Sequence, residues 1–157
     1  MSRRYREISN QVYELDVSDK EICTLVTDED FQWLKAQSLR VNSRVRLCLH
    51  GGLDEALHQM VIALPKGDYV RPHCHHGKVE SMMALEGQAD LIFFDREGAK
   101  SQRLSLRANQ SSLVRIYPGA FHTLQVLSAM FLFLETTTGP FRREDTEYAV
   151  WEEKEQR

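Results

Sequence analysis

Three cysteines, Cys23, Cys48 and Cys74, are all that the 157 residues contain. Their odd number and wide spacing offer no disulfide framework, so reduced thiols and a cytoplasmic location are expected. Cys23 reads as a small buried apolar residue. Long apolar runs are lacking as well. The longest, Ala129–Leu134, falls far short of the roughly 20 residues that cross a bilayer as a helix. The basic start, with Arg3, Arg4 and Arg6, leads into no apolar stretch, which argues against a secretory signal. Positive charge is not in excess either. Twenty Lys and Arg stand against 23 Asp and Glu, a formal net charge of −3. A protein built to grip nucleic acid needs a basic stripe, and the composition supplies none. The sequence has no internal repeat, low-complexity stretch or linker that would divide it. What it does have is histidine: six in all, three of them within His73–His76.

Residues 1–43 read as an extension carrying one short helix. Thr27-Asp28-Glu29-Asp30 has the form of a capping box, and Phe31 and Leu34 then share a helical face, which predicts a helix over residues 28–38. From residue 44 the period changes to two. Val45, Leu47 and Leu49 alternate with Arg44, Arg46, Cys48 and His50, the pattern of a half-buried strand. Further strand patterns cover 59–64, 69–75, 79–85, 89–94, 102–106, 112–117, 122–127 and 130–135. Turn signals such as Pro65-Lys66-Gly67, Glu86-Gly87 and Pro118-Gly119 separate them. Eight or nine short strands with tight turns predict an all-β antiparallel barrel or sandwich over residues 44–152. Phe141, Tyr148 and Trp151 are the expected anchors of its polar tail.

The chemistry concentrates in Gly67–Glu80. On a strand, residues two apart share a face at a spacing of roughly 6.5 Å, so His73 and His75 can aim at one point while Cys74 faces away. His76-Gly77 then makes a turn, and Glu80 opens the returning strand with its carboxylate towards the pair. His122, directly after the turn at Pro118-Gly119, can reach the same interior from a distant strand. An isolated His-x-His pair most often binds nothing in particular; Glu80 and His122 set this one apart. Three imidazoles and a carboxylate suit one divalent transition ion, and ligand type leaves Fe, Zn, Mn, Ni and Cu open. Arg71 and Tyr69 share the parity of His73 and are candidate substrate-pocket residues. His50, at the end of its strand, is another. His58 reads as an ordinary surface-strand residue and His76 as a turn residue.

These residues resemble the cupin superfamily. Its first motif is matched at every position by Gly67, His73, His75, Glu80 and Gly87. The second is matched by Gly119 and His122, whereas Tyr117 and Val126 replace its Pro and Asn. The segment Gly67–His73 and the ending Gly139-Pro140-Phe141 with Glu147–Trp151 are similar to the WbuC-type cupin fold metalloproteins associated with bacterial O-antigen gene clusters. The likeness covers residues 36–152, and Cys48 stands where that family has Asn. It implies a double-stranded β-helix of jelly-roll type, the ligand set His73, His75, Glu80 and His122, a small-molecule partner and a homodimer. It implies neither nucleic acid nor membrane. The function stays open between a metal-dependent enzyme on a small sugar-related or acidic substrate, an Fe(II)-dependent dioxygenase and a non-catalytic binding module.

Overall fold

Alternating patterns of this kind resolve into two facing sheets in the computed structural model, which describes residues 4–15, 23–110 and 112–151. Residues 1–3 of the basic start and residue 152, the last of the expected barrel, lie outside the described residues. In chain order the strands are β1 (Tyr5–Ser9), β2 (Val12–Leu15), β3 (Val45–Cys48), β4 (Leu57–Pro65), β5 (His73–His75) and β6 (Glu80–Glu86). They continue with β7 (Gln88–Phe94), β8 (Lys100–Arg107), β9 (Leu113–Ile116), β10 (Phe121–Val126), β11 (Met130–Thr138) and β12 (Thr146–Tyr148); one α-helix, α1, spans Asp28–Val41. The larger sheet has the order β1-β2-β3-β4-β11-β6-β9 and the smaller β12-β5-β10-β7-β8. No helix is long and apolar enough to cross a membrane among the described residues.

The N-terminal segment holds more than a helix. β1 and β2 form a hairpin, and β2 joins β3 in parallel, Tyr13 opposite Leu47. Four-residue strands of mixed polarity are too short to declare themselves by period. The strand expected over 69–75 shrinks to β5, because Pro72 lacks the N–H that a ladder needs.

Both faces of the larger sheet are covered. Ile62, Leu64, Met82, Phe131 and Phe133 pack inward against Leu91, Leu106 and Leu124 of the smaller sheet. Val45, Leu47, Val61, Ala63 and Leu132, with Tyr13 and Leu15 of β2 in the same sheet, cluster on the other face with Leu34 of α1. This double cover explains the continuous apolar run of β11, which a half-exposed strand would not carry. Gly87, at φ +79°, closes the turn from β6 to β7; a Cβ there would lie 2.1 Å from the Met130 carbonyl oxygen. Of the cysteines, Cys48 and Cys74 are buried, but Cys23 is exposed, contrary to its reading as an apolar core residue. It precedes the helix in a segment without regular structure, where nothing packs over it.

Helix α1 opens as its capping box predicts and runs three residues longer, to an Asn42 cap in the left-handed region (φ 50°). The fully buried Asp30 carboxylate accepts hydrogen bonds from the Thr27 backbone (2.7 Å), the Tyr5 hydroxyl (2.7 Å) and the Arg4 guanidinium (2.5 and 2.7 Å). One side chain thus joins the helix start to β1. Burial pushes its pKa up, but Arg4, Tyr5 and Thr27 override that and hold it below the usual carboxylate range. A depressed folded-state pKa stabilises the fold above the unfolded value, near 3.9, and that contribution fades as pH falls towards the folded value. Asp30→Asn is therefore expected to lower the unfolding free energy by about 2 kcal/mol at pH 7, since bonds to a charged group contribute about 1.5–3 kcal/mol. Urea titrations should show the gap between variant and wild type closing below about pH 4.

Candidate metal centre

β5 is three residues long, and its alternation sets the site. His73 and His75 turn to the barrel interior, while Cys74 packs with Phe121, Ala149 and Trp151 on the opposite face. β10 runs antiparallel beside β5 and places His122 directly opposite His73. Ring centroids are 4.6 Å apart for His73 and His122, 5.1 Å for His73 and His75, and 6.2 Å for His75 and His122. Glu80 arrives from the facing sheet, as the first residue of β6. Its Oε1 lies 3.2 Å from His75 Nε2 and its Oε2 3.2 Å from His122 Nε2. The four residues singled out by spacing are brought together.

Each imidazole is oriented from behind. His73 Nδ1 donates to the Arg71 carbonyl (2.8 Å) and His122 Nδ1 to the Ala120 carbonyl (2.9 Å). His75 Nδ1 is bonded to Thr146 Oγ1 of β12 at 3.0 Å. A carbonyl only accepts, so Nδ1 carries the proton and Nε2 is left as the interior donor atom. Burial, reinforced by His122, lowers the His73 pKa to about 4, which keeps that ring neutral at pH 7. Burial pushes the Glu80 carboxyl up, but His122 and His75 outweigh it and hold Glu80 below its ordinary range. His122 is lowered by burial and raised on balance by Glu80.

The buried atoms Glu80 Oε2 and His122 Nε2 have no hydrogen-bond partner, although only 3.2 Å separates them. Unsatisfied buried donor and acceptor atoms are rare and call for a reason. Convergent imidazole nitrogens and carboxylate oxygens supply one here, because a divalent transition ion takes that ligand set. The residues fit such an ion.

A cavity of about 790 Å³ adjoins the cluster, lined by the polar face of β3 and by residues of both sheets. His50 is in its wall, its ring stacked on His58 at 4.1 Å and its Nδ1 bonded to the Gln59 carbonyl. His58 is itself buried in that wall and not on the surface, because β4 is covered on both faces. Arg71 reaches the cavity and donates to the Ala149 carbonyl (2.7 Å), with its guanidinium over the Tyr148 ring. Tyr69 is not among the lining residues; it is 56% exposed, since the chain before β5 is irregular and strand parity does not extend to it. His76 is exposed and pairs outward with Glu147.

Sequence reasoning missed several wall residues. Arg44 and Arg46 were legible as the polar half of an alternating strand, but alternation does not say which half faces inward. Glu135 lies one position along the face from Thr137, which pairs with Glu80. Burial and the Glu80 carboxylate raise its pKa. Thr146 and Tyr148 enter only because β12 pairs with β5, Thr146 opposite His75 and Tyr148 opposite His73.

Solved structures that share this architecture include the capsular polysaccharide assembling protein CapF from Staphylococcus aureus. It gives a TM-score of 0.57 at 17% identity, over 67% of this chain and 31% of its own. Oxalate decarboxylase from Bacillus subtilis gives 0.51 at 22% identity, over 61% and 24%. Procruciferin, the 11S globulin from Brassica napus, gives 0.50 at 14% identity, over 59% and 23%. This chain therefore spans less than a third of each of these proteins, and the likeness establishes the all-β cupin barrel. A polysaccharide-assembling protein, a decarboxylase and a globulin on one barrel show that the fold does not choose the chemistry. No curated protein matches the chain. A family model does, described as a domain of unknown function, DUF6016, and it covers residues 27–106, from the cap of α1 into β8. The chain has the cupin fold and belongs to the DUF6016 family.

Proposed function

We propose that this protein holds one divalent transition ion, from among Fe, Zn, Mn and Ni, on His73, His75, Glu80 and His122, and acts on a small acidic molecule in the adjoining cavity. The observation that carries the proposal is the orphaned pair Glu80 Oε2 and His122 Nε2, set among imidazoles whose Nδ1 atoms are already engaged. When bound, such an ion polarises a ligand oxygen, lowers the pKa of bound water or, as Fe(II), opens oxygen chemistry.

The cavity wall supports an acidic substrate. Arg46 of β3 and Arg44, just before that strand, both line the cavity, and neither guanidinium has an ion-pair partner among the described residues. Burial and the neighbouring Arg46 charge lower the Arg44 pKa. Asp68 and Glu135 offset the Arg44 charge, and Arg46 acts on Glu135, only from beyond ion-pair distance, so a planar carboxylate or phosphate gains by direct bidentate pairing there. Lys78 is already committed, donating to the Pro140 carbonyl (2.5 Å) and lying 3.4 Å from Asp145, so it braces the cavity mouth. Glu135 is the wall carboxyl suited to hold a proton. The motif spacing and the Gly139-Pro140-Phe141 ending support the narrower WbuC-type reading, a role in bacterial polysaccharide metabolism. CapF, a capsular polysaccharide assembling protein, points the same way. That reading carries with it a cytoplasmic homodimer.

Elemental analysis of protein purified without chelator should find metal that a His73→Ala/His122→Ala double variant lacks by one equivalent per chain. Undiminished metal in a correctly folded double variant would overturn the ligand set. Malonate and inorganic phosphate should each raise the melting temperature of the metal-loaded wild type. Arg46→Gln should weaken the better of the two about tenfold, the equivalent of about 1.4 kcal/mol. Turnover in a panel of keto acids and sugar nucleotides would mark an enzyme; stabilisation without turnover would mark a binding module.

A further inference from the structure

The strand that supplies two of the interior imidazoles also has an outer face, and the chemistry there is separate. His76 Nε2 lies 2.7 Å from Glu147 Oε2, and Cys74 Sγ is 3.9 Å from the same oxygen. The sulfur, nitrogen and oxygen all fall within 4.8 Å of one another. Register explains the meeting: Cys74 pairs with Glu147 across β5 and β12, and His76 follows β5 directly. Cys74 is fully buried on an apolar floor of Phe121, Ala149 and Trp151, while His76 and Glu147 are half exposed.

We propose that Cys74, His76 and Glu147 form a second metal site, for zinc, on the outside of the barrel. A thiolate, an imidazole and a carboxylate are each zinc ligands, and thiolate favours zinc over the harder divalent ions. Three protein ligands leave a coordination position on the solvent side for water or a further ligand. The site ties β12 to β5, and the tie has a purpose. β12 is an edge strand of three residues, and β5 is its one strand partner among the described residues. Its inner face carries Thr146, which orients His75, and Tyr148, whose ring is 6.0 Å from His73. Zinc on the outer face would therefore steady the residues that back the inner imidazoles. The proposal does not depend on an ion at the interior cluster, and that cluster contains no sulfur.

The difference in ligands makes the test specific. Cobalt(II) bound to a thiolate absorbs in the near ultraviolet, and cobalt(II) on imidazole and carboxylate alone does not. Titrating the purified full chain with cobalt(II) should produce that band, and zinc should bleach it. The His73→Ala/His122→Ala variant should keep the band, and so should Cys23→Ser and Cys48→Ser. Cys74→Ser should lose it. Should Cys74→Ser fail to fold, Glu147→Gln changes only an exposed side chain, and it should weaken zinc at least about tenfold in competition with a chromogenic chelator. Bound cobalt without the band, the band surviving in Cys74→Ser, or unchanged zinc affinity in Glu147→Gln would each overturn the proposal. Failure at the interior site reads out separately, as loss of metal that leaves the band intact.

Discussion

Burying the Glu80 carboxylate among three imidazoles is the constraint on which the rest of the arrangement depends. A carboxylate taken out of water costs several kcal/mol unless charge and hydrogen bonds compensate it. His75 and His122 bring Nε2 within 3.2 Å of either oxygen, and a cation held between them and the carboxylate would supply that compensation. They can do so only if β6 of one sheet faces β5 and β10 of the other, so site and sandwich are one geometric requirement. The carbonyls of Arg71 and Ala120 complete it, holding two rings in the tautomer that turns Nε2 inward.

The larger sheet has two insides. Its strands present one face to the smaller sheet and the other to α1, so β11 is apolar on both sides. This frees one region of the inner face to be polar without exposing backbone. Arg44, Arg46, His50 and Glu135 occupy that region as cavity wall. The apolar layer under α1 stabilises the strands, and the polar layer inside is available for a ligand.

The C-terminal segment belongs to the same design. Trp151 packs edge-on to Phe121 at 4.9 Å and anchors the chain after β12, as its aromatic character suggested. β12 then lays Thr146 and Tyr148 against the imidazoles on one face and Glu147 beside Cys74 on the other. A single three-residue edge strand serves both sides of β5.

Much of this was legible beforehand, for reasons that lie in local geometry. The spacing His73-x-His75 puts two imidazoles on one face wherever the strand lies, and a turn before Glu80 returns it to them. Thr27 and Asp30 mark a helix start by hydrogen bonds three residues apart. Glycine at 87 answers to a positive φ. Other residues were misread because their environment is not local. His58 and Cys23 exchange places between surface and interior, since burial depends on what packs over a strand or a loop. Tyr69 leaves the pocket because Pro72 breaks the ladder and with it the parity. Sequence alone determined the periodicities, the turns and the chemical kind of each ligand, because these depend on neighbours a few residues away. Which face of β3 turned inward, and that β12 would close on β5, only the tertiary structure decided, because alternation defines two faces and only packing against distant strands chooses between them.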